Sequence, residues 1–356
     1  MKYALIGCGR IAKNHLIAAE KNNLEIVAVC DVDLPTIENL LDTQNLHNSR
    51  IKRYVDYKHM LQAERPHLVS VATSSGSHAE IVMHLIKCGI PVIVEKPMAM
   101  SIVDANRIIG MAEERNVKVS VCHQNRFNLA VKETKKAIES GRFGKMSHGS
   151  VHVRWNRNED YYNQSKWRGT WENDGGTLIN QCLHGIDLLL WLFDNEVDEV
   201  YGQTRRQFHE YIETEDVGLA IVKFVNGAIA TIEGTVNVFP QNLEGVICLF
   251  GKDGTVKLGG KSCNSIDIWK FADEQASDSI NKALVENTSN VYGNGHILLF
   301  ADMIEAIEND RQPYVSAREG KRAIELILAI YKSQKEGRPI KLPLHSFSTM
   351  DMKGEF

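Results

Sequence analysis

The sequence predicts an α/β protein of two domains. Residues 1–125 are expected to form a doubly wound parallel sheet, and residues 126–356 an α+β domain with a large open, mainly antiparallel sheet. The length supports this division, because 356 residues are many for one domain and sufficient for two hydrophobic cores. The first 125 residues alternate short Val- and Ile-rich runs with amphipathic stretches. Near residues 143–155 the pattern changes to longer segments in which apolar and polar residues alternate.

The N-terminal elements are short strands connected by helices. Runs that are apolar throughout indicate parallel strands covered on both faces, and the segments between them have helical periodicity. The predicted strands are 3–7, 25–31, 67–73, 90–96 and 117–122. The predicted helices lie near 9–22, 35–43, 77–88 and 101–115.

The C-terminal elements are longer alternating strands, several of them separated by turn sequences such as "VNG" and "GKDG". This alternation favours a sheet with one packed and one open face. The predicted strands are 146–155, 197–207, 215–225, 228–237, 245–250, 254–258 and 264–270. The predicted helices are 129–140, 184–193, 296–309 and 317–334, with a long loop at 273–295.

Composition excludes several classes of protein. The formal net charge of −4 is spread without a basic block, so neither nucleic acid nor an anionic membrane is an expected partner. No stretch approaches the roughly 20 apolar residues that cross a bilayer, and the N-terminus lacks the pattern of a signal peptide. Seven scattered cysteines without a C-x-x-C pair indicate reduced thiols. We therefore expect a cytoplasmic protein.

A glycine-rich turn joins the first predicted strand to the first helix. Gly7-x-Gly9-x-x-Ala12 allows a tight turn, close approach of the backbone to a pyrophosphate, and close packing of helix on strand. Asp31 ends the second strand, where a carboxylate can accept both ribose hydroxyls of an adenosine. The alternative is a tight turn with an unrelated Asp. The residues predicted to bind the dinucleotide here are Gly7, Gly9, Arg10, Ile11, Ala12 and Asp31.

Asp31 also indicates which dinucleotide binds. An NADP enzyme needs a cation for the 2′-phosphate, and Val32, Asp33 and Leu34 offer none. A carboxylate would repel that phosphate. The sequence therefore predicts NAD as the cofactor.

Glu95, Lys96 and Pro97 end a buried strand, at the edge of the sheet where ligands of such domains bind. Lys96 can remove a hydroxyl proton while hydride leaves the carbon, or it can remain charged and hold the oxygen. The alternative is a surface lysine paired with Glu95. Further residues predicted to line the cofactor groove are Thr73, Ser74, Ser75, His78, Glu95, Lys96 and Gln124, with Glu95 at the nicotinamide ribose.

A second cluster lies in "GTWENDGGTLINQCLHGIDLLLWLF", residues 169–193. After Gly175-Gly176 a helix is expected, with Asn180 and His184 on one face at i, i+4. An imidazole is suited to take a proton near neutral pH. The alternative is a core histidine hydrogen-bonded to Asp187.

Metal does not explain the histidines in this sequence. His148 and His152 lie on one predicted strand and His123 on another. No H-x-x-x-H on a helix with a third acidic ligand is present, although zinc sites prefer such grouping. The sequence predicts no metal.

With the glycine turn, Asp31, "EKP" and "GGTLINQCLHGID" in this order, the chain resembles the Gfo/Idh/MocA oxidoreductases over essentially its full length. The resemblance implies a Rossmann domain joined to an α+β domain whose open sheet mediates homo-oligomers, often tetramers and otherwise dimers. It also places Lys96 and His184 at the substrate hydroxyl. The aspartate of the family pattern is Asn180 here, so Asn180 is expected to hydrogen-bond a substrate hydroxyl instead.

Among the subfamilies, the chain resembles the UDP-N-acetylglucosaminuronate 3-dehydrogenases of bacterial surface-polysaccharide synthesis. The similar segments are "YYNQSKWRGTWENDGGTLINQCLHGIDLL", "IETEDVGLAIVKFVNGAIATIEGT" and "FPQNLEGVICLFGKDGTVKLGGKSCNSI". This resemblance implies oxidation of the sugar C3 hydroxyl to a ketone. It further implies that 2-oxoglutarate can recycle the NADH in some members.

A sugar nucleotide of this kind carries a diphosphate and a carboxylate, which require cations. Arg154, Arg157, Lys166 and Arg168 cluster just before the histidine helix, and the alternative is a solvated charged loop. Arg168 is expected to contact the cofactor as well as the substrate. The residues predicted to bind substrate are Lys96, Arg154, Arg157, Arg168, Asn180, His184, Asn242 and Tyr292.

Two other functions remain open at this point. The same chemistry could act on a free sugar or a polyol such as inositol. A dinucleotide-binding regulator without catalysis is a third possibility, although such relatives can lose the lysine or the histidine, and both are present here.

Overall fold

The chain folds into two compact units. The computed structural model describes residues 1–46, 50–194, 196–260, 263–273, 275, 278 and 294–356. The first unit comprises residues 1–100, 104–122 and 296–321, and the second comprises residues 101–103, 123–295 and 322–356. A single boundary along the sequence cannot express this division, because a C-terminal segment packs with the N-terminal unit.

The first unit contains a six-stranded parallel sheet of order β3-β2-β1-β4-β5-β6, which confirms the doubly wound prediction. Its strands are β1 (Lys2–Ile6), β2 (Glu25–Cys30), β3 (Lys52–Tyr54), β4 (Leu68–Val71), β5 (Val92–Val94) and β6 (Val119–Val121). The helices between them are α1 (Ala12–Lys21), α2 (Leu34–Thr43), α3 (Tyr57–Glu64), α4 (Ser75–Lys87) and α5 (Ile102–Glu114).

Sequence patterns missed β3 and α3. β3 is a three-residue edge strand, Lys52-Arg53-Tyr54, and charged residues are common on short edge strands. It therefore lacks the apolar run that marked the other strands. With β3 included in the count, Thr73 to His78 follow the fourth strand, β4, and Lys96 follows the fifth, β5.

The parallel arrangement determines where the predicted site residues of this unit lie. Because all six strands run in one direction, their carboxyl ends share one edge of the sheet. Gly7, Asp31, Glu95 and Cys122 each directly follow a strand, namely β1, β2, β5 and β6. Thr73 lies two residues beyond the end of β4.

The second unit contains an eight-stranded sheet of order β13-β12-β11-β7-β10-β9-β8-β14. Its strands are β7 (Met146–Arg154), β8 (Val197–Arg205), β9 (Val217–Phe224), β10 (Ile229–Thr235), β11 (Glu244–Gly251), β12 (Gly254–Gly259), β13 (Ser265–Phe271) and β14 (Ile340–Lys341). β7 and β10 pair in parallel and every other pair is antiparallel, so the mainly antiparallel prediction is confirmed with one exception. The exception arises because the β8-β9-β10 meander returns beside β7 in the same direction.

Two of the remaining helices, Leu129–Glu139 and Leu183–Phe193, pack on strands of this sheet. The remaining helices are α6 (Leu129–Glu139), α7 (Glu159–Asn163), α8 (Leu183–Phe193), α9 (Gly295–Glu308) and α10 (Ala317–Glu336), with a π-helical turn at Leu178–Cys182. Residues Ile186–Phe193 of α8 are buried all round, as expected of a helix without a polar face. This burial anchors α8 and thereby the position of His184 in its first turn.

The sequence also predicted that the chain has no membrane-spanning segment and no disulfide. No helix among the described residues is long and apolar enough to span a bilayer. None of the seven cysteines, all of which the structure describes, forms a disulfide. The predicted long loop at 273–295 lies largely outside the described residues.

Candidate active site

The turn after β1 is shaped for a phosphate group. Gly7 has φ of +95°, and a Cβ there would lie 2.5 Å from the carbonyl of Ala72, so no other residue fits. A Cβ at Gly9 would meet no atom within 4 Å, which leaves room beside the backbone. No side chain caps the start of α1, and its first turn has no acidic residue. An anionic oxygen therefore suits the N-terminus of this helix.

Two backbone hydrogen bonds fix the orientation of the Asp31 carboxylate at the end of β2. Its Oδ2 accepts the N–H of Cys8 at 2.8 Å, and its Oδ1 accepts the N–H of Asp33 at 3.1 Å. These bonds orient the carboxylate beside the glycine turn, where an adenosine ribose would lie. Arg10 and Ile11 complete the turn, with Arg10 exposed. The residues of this region therefore fit a dinucleotide.

The ring of His78 has neighbours within the protein, and its contact with a cofactor stays a prediction. Its Nδ1 lies 2.8 Å from the carbonyl oxygen of Pro97, and its Nε2 lies 3.0 Å from that of Thr73. Both ring nitrogens therefore face main-chain oxygens, and the ring ties the end of β4 to the Glu-Lys-Pro turn. Burial lowers the pKa of His78. Ser74 and Ser75 begin α4 beside it, at the predicted place.

The Glu-Lys-Pro turn contains a cis Lys96-Pro97 bond, a half-buried Lys96 and a buried Glu95. Oε1 of Glu95 accepts from Nε2 of His15 and Nε2 of His296, each at 3.1 Å. Oε2 accepts the N–H of Lys96 at 3.2 Å. Both oxygens of the carboxylate thus have partners within the protein, and the contact of Glu95 with a nicotinamide ribose stays a prediction.

A cluster that could hold a metal surrounds Glu95, although the sequence predicted none. Ligand atoms of His15, Glu95, Cys122 and His296 lie within 4.8 Å of one another, and all four residues are buried. They come from four distant segments, so spacing in the sequence could not reveal them. Burial raises the pKa of the Cys122 thiol well above its ordinary value, which disfavours the thiolate that binds metal.

In the second unit, a Gly-Gly turn precedes the helix that carries His184. Gly176 has φ of +89°, and a Cβ there would collide with the carboxyl group of Glu215. Oε1 of Glu215 accepts the N–H of Leu178 at 2.8 Å, at the start of the π-helical turn. π-helical turns are frequent at functional sites. Asn180 and His184 were predicted to share one face of a continuous α-helix. The π-helical turn at Leu178–Cys182 changes the angle between the two side chains around the helix axis.

Asn180 and His184 each have a defined partner. The amide of Asn180 donates to Oδ1 of Asp174, whose Oδ2 accepts the N–H of Gly169 at 2.7 Å. Nε2 of His184 lies 3.4 Å from the amide nitrogen of Gln124, which can only donate. This contact favours the tautomer of His184 whose lone pair is on Nε2.

Asp187, the possible partner of His184 in the alternative interpretation, forms an ion pair with an arginine. Asp187 accepts from Nε of Arg126 at 2.9 Å and from Nη2 at 2.6 Å, and both residues are buried. This bidentate pair stabilises α8 close to His184. Arg126 is consequently a structural residue.

The four basic side chains that were predicted to form a cationic cluster have different surroundings. Arg154 pairs with Glu233 and Glu244, so its charge is compensated, and its contact with a substrate stays a prediction. Lys166 is exposed. Arg157 and Arg168 form no ion pair with a carboxylate among the described residues.

Arg157 and Arg168 pack on the same aromatic ring. Their guanidinium carbons lie 5.1 Å and 4.2 Å from the ring centroid of Tyr161. Nη2 of Arg157 donates to Gln181 at 2.9 Å, and Nη1 to Asn242 at 3.0 Å, both neutral groups. The Nε atoms of both arginines are buried without a hydrogen-bond partner in the described part of the chain. Two positive charges without a counter-charge favour an anionic ligand.

Asn242 and Tyr292 were also predicted to bind substrate. Asn242 lies beside this pair and also accepts the N–H of Asn156 at 2.9 Å. Tyr292 lies outside the described residues. Sequence reasoning missed Tyr161 and Gln181, whose side chains hydrogen-bond each other at 2.9 Å. Only their proximity to the predicted arginines and to Asn180 could have drawn attention to them.

Comparison with known families accounts for both units. Residues 1–123 match the model of the Gfo/Idh/MocA oxidoreductase family described as the NAD-binding Rossmann fold, and residues 135–342 match its C-terminal alpha/beta domain. The chain belongs to the Gfo/Idh/MocA oxidoreductase family. The predicted family, fold class and cofactor, NAD, are therefore confirmed.

Solved structures of other members are similar over almost the whole chain. The WlbA dehydrogenase from Bordetella pertussis, in complex with NADH and UDP-GlcNAcA, has a TM-score of 0.90 and 36% identity and covers 97% of this chain and 98% of its own. The WlbA dehydrogenase from Chromobacterium violaceum, in complex with the same two ligands, has a TM-score of 0.88 and 34% identity, with 97% and 96% covered.

Curated relatives in the family are more distant in sequence. A myo-inositol 2-dehydrogenase from Thermotoga maritima is 25% identical, with 96% of this chain and 98% of the relative covered. A D-apiose dehydrogenase from Paraburkholderia graminis is also 25% identical, with 96% and 89% covered.

Proposed function

We propose that this Gfo/Idh/MocA oxidoreductase oxidises the C3 hydroxyl of UDP-N-acetylglucosaminuronic acid to a ketone, in the synthesis of a bacterial surface polysaccharide such as an O-antigen. The observation that carries the proposal is the pair of arginines on the ring of Tyr161, Arg157 and Arg168, which have no carboxylate partner in the described part of the chain. A diphosphate and a uronate carboxylate are oxyanions, which guanidinium groups bind through charge-assisted, often bidentate hydrogen bonds. The similarity to WlbA structures that contain UDP-GlcNAcA supports the same substrate.

The proposed reaction removes two hydrogens from the alcohol. The C3–H bond breaks with its electron pair and the hydroxyl proton goes to a base, which leaves a C=O bond. NAD, when bound, supplies the carbon that accepts the hydride. Lys96 at the end of β5 and His184 in α8 are the proposed catalytic residues, one as the proton acceptor and the other as a hydrogen-bond donor to the oxygen. Asn180, oriented by Asp174, is proposed to contact another sugar hydroxyl.

A second candidate is oxidation of a free polyol such as inositol. It is favoured by full-length similarity to myo-inositol 2-dehydrogenase. A neutral polyol would leave the charges of Arg157 and Arg168 uncompensated, so we place it second. Both reactions use the same proposed catalytic residues.

The test is an incubation of the purified protein with UDP-N-acetylglucosaminuronic acid and NAD, with and without 2-oxoglutarate. We expect a 3-keto sugar nucleotide by mass spectrometry, and 2-hydroxyglutarate if the same protein recycles its NADH. UDP-N-acetylglucosamine, which lacks the carboxylate, is the matched control and should react poorly. Turnover of myo-inositol without turnover of the nucleotide would replace the first candidate with the second.

A further inference from the structure

Four hydrogen-bond donors surround the buried carboxylate of Glu95 among the described residues. His15, on the buried side of α1, and His296, in the first turn of α9, both reach Oε1 at 3.1 Å. The N–H of Lys96 reaches Oε2 at 3.2 Å, and the Cys122 thiol also hydrogen-bonds this carboxylate. Because a carboxylate only accepts, both imidazoles must donate from Nε2.

This proton arrangement argues against a metal ion. A metal would need the Nε2 lone pairs and would move the imidazole protons to Nδ1. Nδ1 of His15 is buried and has no hydrogen-bond partner among the described residues, whereas metal-bound histidines almost always donate their second N–H to an acceptor. The cluster is complete as a hydrogen-bonded carboxylate.

Electrostatics agree with an ionised Glu95. Burial opposes its charge, but the hydrogen bonds from His15 and His296 outweigh burial and hold the pKa of Glu95 well below its usual range. Burial lowers the pKa of His15, which keeps that ring neutral. The negative charge of Glu95 thus accepts hydrogen bonds from both imidazoles directly beside the backbone of Lys96.

We propose that His15 and His296 are positioning residues that act through Glu95 to hold Lys96 in place. His15 lies one helical turn from the phosphate-binding start of α1, and Glu95 immediately precedes Lys96. A single carboxylate therefore connects the helix that would bind the pyrophosphate to the turn that carries the lysine. The proposal rests on the catalytic role proposed for Lys96.

The test compares, at each histidine, a variant that loses the hydrogen-bond donor with a variant that keeps one. His15→Leu and His296→Leu remove the N–H, while His15→Gln and His296→Gln keep an amide donor of similar reach. We expect the Leu variants to lose about tenfold or more in kcat with KM for the sugar within about twofold, because the lysine is misplaced while substrate contacts remain. The Gln variants should recover most of the loss. Glu95→Gln, which keeps shape and loses charge, should reproduce the defect if a Leu variant does not fold.

A second measurement needs no sugar, so it also applies if the proposed substrate is wrong. Hydrogen–deuterium exchange should become at least about fivefold faster in residues 92–100 of each Leu variant, and NADH affinity should fall for His15→Leu through α1. Exchange and kcat like the wild type in the Leu variants would overturn the proposal. Stoichiometric zinc in the purified wild type, lost with His296→Gln, would overturn it in favour of a metal site.

Discussion

The hydroxyl of Tyr331 lies 2.7 Å from Oε1 of Glu215 and 2.7 Å from the carbonyl oxygen of Gly175. One hydroxyl hydrogen cannot serve both oxygens. A protonated Glu215 resolves this, because it can donate to Tyr331 while Tyr331 donates to Gly175. Burial raises the pKa of Glu215 to about 8, and its Oε2 is buried without a partner among the described residues. Glu215 is therefore a neutral acid beneath the Gly-Gly turn.

This protonation predicts how stability depends on pH. From the pKa of an unfolded glutamate up to about 8, the folded chain binds one more proton at Glu215 than the unfolded chain does. Raising the pH through this window should lower the free energy of unfolding by at most about 1.4 kcal/mol per pH unit. Glu215→Gln should remove this component, so the stability of the wild type relative to the variant should fall as the pH rises from 5 to 8. Urea unfolding of both proteins at pH 5, 6, 7 and 8 measures it, and parallel curves would show that Glu215 is ionised.

The arginine pair predicts a selective loss of substrate affinity. Arg168→Ala should raise the KM for UDP-N-acetylglucosaminuronic acid about 10- to 100-fold, since a hydrogen bond to a charged group contributes about 1.5–3 kcal/mol. Arg154→Ala is the matched control, because Arg154 is already paired with Glu233 and Glu244 and should leave KM within about threefold. Steady-state kinetics decide between them. A parallel loss of NADH affinity in Arg168→Ala would support its predicted contact with the cofactor.

Lys96 should act on turnover and not on cofactor binding. Lys96→Ala is expected to lower kcat by about 10²- to 10⁴-fold, the range of general acid–base catalysis, with the Kd for NADH within about twofold. Single-turnover kinetics and calorimetry measure the two quantities. Lys96→Arg separates the possible roles, because guanidinium keeps its charge but does not release its proton. Recovery in Lys96→Arg would leave His184 as the base, and unchanged turnover in Lys96→Ala would remove Lys96 from the mechanism.

Asp31 should determine the preference for NAD. Asp31→Ala is expected to lower kcat/KM for NAD about tenfold or more and to improve the relative use of NADP, because the repulsion of a 2′-phosphate is removed. Asp33→Asn is the control, since it removes a neighbouring charge and keeps an acceptor for the N–H of Thr36 at the start of α2. Initial rates with both dinucleotides test this. An unchanged NAD to NADP ratio in Asp31→Ala would contradict the assignment.

The open face of the eight-stranded sheet is the proposed surface for homo-oligomers. Ile221 on β9 is 57% exposed and lies opposite Tyr201 on β8, with exposed Leu219 and Ile229 on the same face. Exposed apolar patches of this kind mark protein interfaces. Ile221→Lys should lower the molar mass measured by light scattering after size-exclusion chromatography. Val55→Lys, at an equally exposed apolar residue of the first unit, should not, and equal masses for both variants would contradict the proposal.

Much of the fold followed from local patterns. Apolar runs, helical periodicity and alternation identified both sheets because they reflect burial on two faces or on one. The glycine turn and Asp31 were predictable because their chemistry needs residues at fixed spacing along one β-α-β unit. β3 was missed because a charged edge strand of three residues has no such pattern.

The candidate site was predicted only in part, for a different reason. Arg154, Arg157 and Arg168 are equivalent in the sequence, yet Arg154 meets two carboxylates that lie 79 and 90 residues away. His78 has the position of a cofactor ligand but is tied to main-chain oxygens. Partners so distant in the chain leave no local signal, so sequence reasoning could not tell a compensated charge from an uncompensated one.

The sequence by itself determined the family, the parallel and open sheets, the phosphate turn, and the identities of Lys96 and His184 as the residues with suitable chemistry. Only the tertiary structure decided which side chains are satisfied within the protein. It brought His15 and His296 to Glu95, Arg126 to Asp187 and Tyr331 to Glu215. Among the described residues it left Arg157 and Arg168 without a counter-charge. The physical reason is that side-chain type is local, whereas the partner that neutralises a buried charge is supplied by long-range packing.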